Sequence, residues 1–440
     1  MQTYFNELAD FVTSELSGDE VATMSFAGED SDFVRFNKSA VRQAGSVQQR
    51  ELEVDLISGS KHCGAKLTLA GDLEQDRARV QRVLADLRLK RAALPEDPHL
   101  LYATEVQDTE LRKTGSLPEG DSAIEEIRAA GQGRDLVGIY AAGAIHAGFA
   151  NSLGQRNWHV SENYNFDWSF YHQADKAVKS GYAGFEWDAA AFSHKVERAS
   201  QQLAVLAHSP REVKPDGYRV YLTPSALNEI VGMLCWGGFG LKSHRTKQTP
   251  LLKMVEGDSR LSQGVTIREN TAEGVAPNFQ EQGFLRPDAV TLVEGGAYQD
   301  CLVSPRSAKE YDVPTNGAAS HESPESIDLA AGDLPQAEVL ARLGTGVYVS
   351  NLWYLNWSDR VSCRTTGMTR FATFWVEDGE IKAPLNVMRF DETAYRMLGE
   401  KLVSLTAERE LILDAGSYFR RSTGSSRLPG ALIEDFRFTL

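Results

Sequence analysis

Any hydrolytic chemistry in this 440-residue chain would have to come from nine histidines, four cysteines and the carboxylates set among its apolar segments. A zinc hydrolase helix needs two histidines about one turn apart, so that both imidazoles leave one face, and a Glu to activate the metal-bound water. His62, His99, His146, His159, His172, His194, His208, His244 and His321 include no pair three to five residues apart. The apolar segment from Thr223 to Trp236 holds Glu229 but no histidine. Ligands drawn from distant positions stay open, Glu229 with His244 being one such set. Otherwise the scattered histidines read as surface or core residues.

Covalent catalysis finds no better footing. No Gly-x-Ser-x-Gly elbow is present. Cys235, at the end of an apolar helix, reads as a packing residue. Trp236-Gly-Gly-Phe-Gly240 matches neither a phosphate loop nor a dinucleotide fingerprint, and reads as a turn where backbone packs closely. One segment joins charge to aromatic rings: Trp353, Tyr354, Trp357, Arg360, Arg364 and Arg370. Such a surface can hold an extended peptide through backbone and carboxylate contacts, with Trp353, Tyr354, Arg364 and Arg370 as the candidate binders. The alternative is a sheet with cationic side chains on its wet face.

The elements that must position these residues change in texture along the chain. Tyr4–Leu16 has the period of an amphipathic helix, with Phe5, Leu8, Val12 and Leu16 on one stripe. Short alternating runs at 31–37, 50–58 and 61–70 read as antiparallel strands. A helix follows from Asp72 to about Arg91 and is closed by Pro95 and Pro98; another starts at Ser122, which has capping-box spacing to Glu125. From Trp158 to Phe170, even positions are almost all apolar or aromatic and odd positions polar, which predicts a strand with one buried aromatic face and one polar face. Asn151–Gly154 is the turn before it, and Phe192–Leu206 the helix after it.

Pro210–Gly217 is the linker candidate. It divides an N-terminal region, 1–210 with a possible sub-boundary near 100, from a β-rich C-terminal region, 211–440. In the second region Glu294-Gly-Gly-Ala297 and Asp378-Gly379 predict hairpins, Glu392–Leu405 a helix, and Ala431–Thr439 a last alternating strand. The fold class expected is α+β: antiparallel strands with flanking helices, then a mostly β domain with a few helices.

Composition narrows the function classes. A net charge of −15 (46 basic, 61 acidic residues) keeps the chain soluble and disfavours nucleic acid or an anionic membrane surface as partner. No run approaches the ~20 apolar residues that span a bilayer, and the first residues lack the basic and apolar blocks of a signal peptide. Cys63, Cys235, Cys301 and Cys363 form no CxxC pair, which fits free thiols in a reducing compartment. The expectation is a cytoplasmic protein.

A succession of short motifs adds to this. Thr223-Pro-Ser-Ala-Leu-Asn-Glu-Ile-Val-Gly232 precedes Thr249-Pro-Leu-Leu252, Gly283-Phe-Leu-Arg286 and Thr291-Leu-Val-Glu-Gly-Gly-Ala-Tyr298. Gly344-Thr-Gly-Val-Tyr-Val349 then leads to Arg370 and Phe374-Trp-Val-Glu-Asp-Gly-Glu-Ile381. With Val34-Arg-Phe-Asn-Lys-Ser39 and Gly148-Phe-Ala-Asn-Ser-Leu-Gly154, the order resembles the TldD/PmbA family, the modulator-of-DNA-gyrase peptidases, over nearly the whole chain. Active members of that family hold one zinc with an HExxxH helix and a late cysteine. The resemblance sets Asn228 and Met233 at the two histidine positions beside a retained Glu229, and Asp414–Ser422, which has no cysteine, at the third. Asn is a poor zinc ligand and a thioether prefers softer metals.

This departure resembles the family's non-catalytic TldE (PmbA) branch. It implies no metal in this chain, zinc only in a TldD-like partner subunit, and a chamber between the two that admits unfolded or short peptides. Glu229 is the one catalytic candidate carried over. A self-contained metallopeptidase with other ligands, and a homodimeric peptide-binding protein without catalysis, are the alternatives.

Overall fold

The computed structural model describes residues 1–118, 121–173 and 176–439. Seven strands build a first sheet: β1 (Val21–Asn37), β2 (Ala40–Ser58), β3 (Lys61–Thr68), β4 (Thr109–Lys113), β5 (Asp135–Asn151), β6 (Arg156–Gln173) and β7 (Lys176–Gly184). Their order is β3-β2-β1-β5-β6-β4, with β7 also pairing β6. Among the described residues of this sheet, only β4 runs parallel to its neighbour. The strands β1 and β2 are far longer than the expected runs, because their polar outer halves still pair: Val34 meets Ala44 and Asp32 meets Ser46.

Four helices accompany this sheet: α1 (Gln2–Ser14), α2 (Leu73–Ala93), α3 (Ser122–Gly131) and α4 (Ala189–Leu206). Asp72 caps α2 by accepting from the Gln75 N–H at 2.9 Å. In α3 the N-cap is Asp121, one residue ahead of the expected Ser122. Phe5 of α1 packs with Phe26 and Trp158, while Phe192 of α4 packs with Phe166, Trp168 and Tyr182. The aromatic face read from the alternation of β6 is therefore the core face. Its polar face is buried as well: Asn157, His159, Ser161 and Asn163 are all within 2% of full burial. The C-terminal half covers it, with the Val275 carbonyl 3.0 Å from His159 Nε2.

A second sheet contains the remaining strands. These are β8 (Gly217–Leu222), β9 (Ile267–Glu269), β10 (Val290–Glu294), β11 (Ala297–Tyr298), β12 (Ser326–Leu329) and β13 (Gly346–Asp359). They continue with β14 (Arg364–Glu377), β15 (Glu380–Pro384), β16 (Arg389–Thr393), β17 (Leu402–Leu413) and β18 (Ser425–Arg437). The order is β11-β10-β9-β12-β18-β8-β13-β14-β15, with β16 on β14 and β17 on β18. Both expected hairpins are formed: Glu294 pairs Ala297 and Glu377 pairs Glu380. Gly295, Gly296, Asp378 and Gly379 all have positive φ, the conformation that two-residue turns of this kind demand.

The expected helix over Glu392–Leu405 is not formed. Arg389–Thr393 pairs with β14, a single wide turn spans Arg396–Glu400, and Leu402 onward pairs with β18. Gly399, at φ −113° and ψ −111°, breaks the turn. Met397, Leu398 and Leu405 are buried as a helical stripe would bury them, but the open side of β18 satisfies the backbone of 402–413 instead.

Candidate functional site

The helix α5 (Pro224–Cys235) begins on a firm anchor. Thr223 Oγ1 accepts from the Ala226 N–H at 3.2 Å and donates to the Ser350 carbonyl at 2.6 Å, and Pro224 fills the first turn where no donor is needed. Ala226, Leu227, Ile230, Val231 and Leu234 are at most 1% exposed and hold the helix to the second sheet. Truncating Ile230 to Ala would cost about 2–5 kcal/mol. The opposite face carries Ser225, Asn228, Glu229 and Gly232, which are half-buried or exposed.

That outer face looks into a cavity of about 280 Å3. Asn228 and Glu229 form one wall; Asn165, Asp167 and Lys179 of β6 and β7 form a second; Glu410–Ala415 at the end of β17 forms a third. The positions that the family pattern sets together, Asn228, Glu229 and the stretch beginning at Asp414, are thus gathered in space although nearly two hundred residues apart in sequence. Glu229 reaches open space, yet protein surrounds that space. Desolvation raises its carboxyl above the usual range, and the Lys179 ammonium partly offsets this.

The donors do not suit zinc. Met233 is 7% exposed, on the inner side of α5, and Asn228 offers a neutral amide. Asp167 is engaged by Lys179 at 3.0 Å and Glu410 by Lys195 at 3.3 Å. Among the described residues no three His, Cys, Asp or Glu side chains are grouped as a metal ion would need. The set Glu229 with His244 is not brought together: His244 does not line the cavity, and its Nε2 lies 2.7 Å from the Gly238 carbonyl.

The Arg/aromatic segment forms a ridge rather than a wall of this cavity. Asn351 of β13 lines the cavity, and two residues further on Trp353 (48% exposed) carries the Arg370 guanidinium 4.4 Å above its ring. Tyr354, 74% exposed, lies beside Trp353 with ring centroids 5.5 Å apart. Arg364 sits nearer the hairpin tip, 3.3 Å from Asp391. The structure brings Trp353, Tyr354 and Arg370 together and leaves Arg364 apart. None of the four lines the cavity beside Glu229.

A larger hollow, about 730 Å3, shares Asp414 with the first and lies between the first sheet and residues 416–423. Arg421 fastens this segment. Its guanidinium donates to Ser31 Oγ at 3.3 Å, to the Gly143 carbonyl at 3.2 Å and to the Asn163 carbonyl at 3.0 Å, while its N–H donates to Glu29. Burial lowers Arg421 to about 10, with Glu29 offsetting part of the shift, so it stays charged at neutral pH. Beside it, Tyr418 and Phe419 are 92% and 96% exposed. Sequence reasoning missed Lys179, Lys195, Arg198, Glu410 and Arg421. None belongs to a motif; the pairing of β6 with β7 and of β17 with β18, together with the packing of α4 on β7, brings them into place.

The geometry can be set beside known proteins. A family model, the PmbA/TldA metallopeptidase C-terminal domain, matches residues 215–440, more than half of the chain. TldE from Thermococcus kodakarensis is similar in structure with a TM-score of 0.77 at 14% identity, over 99% of this chain and 100% of that one. A Thermotoga maritima protein described as a candidate modulator of DNA gyrase gives 0.75 at 12% identity, over 99% of both chains. A Bacteroides thetaiotaomicron protein of the same description gives 0.71 at 13%, over 99% of this chain and 98% of that one. At such identities the likeness is one of fold. No curated protein sequence matches the chain.

Proposed function

The chain belongs to the PmbA/TldA metallopeptidase family, and from that premise we propose that it is a metal-free, TldE-like subunit of a peptidase complex acting on short or unfolded peptides. The observation that carries this reading is the α5 cavity. It keeps the walls, the Glu and the gathering of distant segments that a peptidase site needs, while the two expected imidazoles are an amide at Asn228 and a buried thioether at Met233. Zinc and the activated water belong, in this reading, to a TldD-like partner. Glu229 here has no metal-bound water to deprotonate and serves as part of the peptide-binding wall.

The exposed surfaces fit an incomplete chamber. Trp353, Tyr354 and Arg370 form a ridge beside the cavity, and Tyr418 and Phe419 stand clear of the larger hollow. Exposed aromatic and Arg side chains of this kind mark surfaces that a second subunit covers. Four free thiols and the net charge of −15 suit a cytoplasmic complex. No helix among the described residues is long and apolar enough to cross a membrane.

Co-expression with an HExxxH-bearing homologue tests the proposal. The expected result is a copurifying pair that hydrolyses unfolded peptides, with turnover lost when either subunit is omitted. A homodimer of this chain that cleaves peptides unaided would overturn it. Peptide binding without turnover, with or without the homologue, would instead favour a non-catalytic homodimer.

A further inference from the structure

The cleft beside α5 has ends of opposite charge. Next to the cavity, a hollow of about 70 Å3 is lined by Lys179, Lys195 and Arg198, with Glu410 the one carboxylate in its wall. The two hollows adjoin along Lys179, Ser180, Gly181, Ser225 and Glu410. In the larger one Asp167, Glu229, Glu410 and Asp414 outnumber the single cation Lys179.

Arg198 is the exception among the cations. Lys179 and Lys195 each have a carboxylate at 3.0 and 3.3 Å. Among the described residues Arg198 has none within ion-pairing distance; its Nη2 donates to the Tyr348 Oη at 2.8 Å, an oxygen that Gln202 also approaches at 3.3 Å. Arg198 is exposed, and among the described residues protein atoms take only one of the five N–H donors of its planar guanidinium fork, so the others are open to a ligand. The fork matches a carboxylate in two-pronged fashion. The hollow has room for a carboxylate group and accompanying water. The opening turn of α5 adds partial positive charge to a site that the three side chains already define.

We propose that this cleft orients peptides by their free C-terminus, seating the terminal carboxylate on Arg198 with Lys195 and laying the amino-terminal part against Asp167, Glu229 and Asp414. A ligand carrying only negative charge would meet the acidic end unfavourably, whereas a short peptide carries both signs. The proposal rests on the peptide-binding reading above and adds a direction and a terminus to it.

Calorimetric titration of the full chain, with any subunit that copurifies, tests it using one unlabelled Ala/Leu pentapeptide in two forms. One form has both termini free, and the other has an amidated C-terminus. Amidation is expected to weaken binding at least tenfold, the scale of one charge-assisted hydrogen bond. Arg198→Gln should bring the free acid down to the level of the amide and leave the amide unchanged. Lys195→Gln should give a smaller loss in the same direction. Equal binding of acid and amide to the unaltered chain would overturn the C-terminal anchor while leaving the peptide-binding reading intact. Binding of neither form would overturn both. Should Arg198→Gln fail to fold by circular dichroism, the acid-to-amide ratio on the unaltered chain decides alone.

Discussion

Arg421 and Arg198 both stand where the first sheet meets the C-terminal half, and they are provided for in opposite ways. Around Arg421 partners are many: Ser31, Gly143 and Asn163 accept from its guanidinium and Glu29 from its backbone N–H. Among the described residues Arg198 has one hydrogen-bond partner, the Tyr348 hydroxyl, and an open hollow in front of it. Arg421 is buried, where a charge is tolerated only when it is hydrogen-bonded, whereas Arg198 is exposed and its spare donors face the open hollow. The first arginine therefore holds two halves of the molecule together, and the second is left able to receive a ligand. The presence of a cation at the seam does not separate the two roles; the count of its partners does.

This contrast can be broken most readily at its closed side. Arg421→Met should cost about 3–5 kcal/mol in denaturant unfolding, because it strands Asn163 and the Gly143 carbonyl and removes the charge that faces the buried Glu29 carboxylate. A loss below about 1 kcal/mol would mean that the seam is wet and the comparison false.

Glu269 gives the next largest effect. It is 5% exposed, and burial pushes its carboxyl up to about 7 although the Ser326 and Glu325 N–H groups donate to it and Arg286 is near. The folded chain then holds that proton more tightly than the unfolded chain, whose Glu titrates near 4.5. The stabilisation is complete below about pH 4.5 and is lost as pH rises through about 7. Replacing Glu269 with Gln should flatten a slope worth about 3 kcal/mol over that window. An unchanged slope in pH-dependent unfolding would assign it to other groups.

On the open side the expected changes are smaller. Gly232 lies in the interior of α5 with nothing within 4 Å of where a Cβ would stand. Gly232→Ala should therefore raise stability by about 0.5–1 kcal/mol, the helix-propensity difference between the two residues. Destabilisation in thermal or chemical unfolding would show that the outer face of α5 is packed and not open. Smallest of all, Trp353→Ala should change peptide affinity of the isolated chain less than about twofold, since Trp353 stacks on Arg370 outside the cavity. A larger loss would move the ridge into the binding site.

Much of this layout was legible in the residues. The alternation of 158–170 announced the aromatic core face of β6, and the paired glycines and Asp-Gly announced both hairpins. The motif order pointed to α5 and to the stretch from Asp414, which the fold brings to one cavity. Two things stayed hidden. The segment 392–405 has a helical stripe, but its backbone is claimed by β18, a long-range competitor that local periodicity does not reveal. Lys195 and Arg198 are neighbours at i,i+3 on α4, but no spacing in the chain shows that Lys179 of β7 joins them. Conversely, the cluster of Trp, Tyr and Arg at 353–370 stood out in the sequence because its members are close along a hairpin; it became an exposed ridge, with Arg364 paired to Asp391 at the far end.

The most direct test of a peptidase framework without its metal is zinc binding by the chain itself. Equilibrium dialysis of chelator-free protein against micromolar zinc, read by elemental analysis, should give no stoichiometric zinc and no difference between the unaltered chain and Glu229→Ala. One zinc per chain that disappears with Glu229→Ala would contradict the account and make this chain a metallopeptidase in its own right.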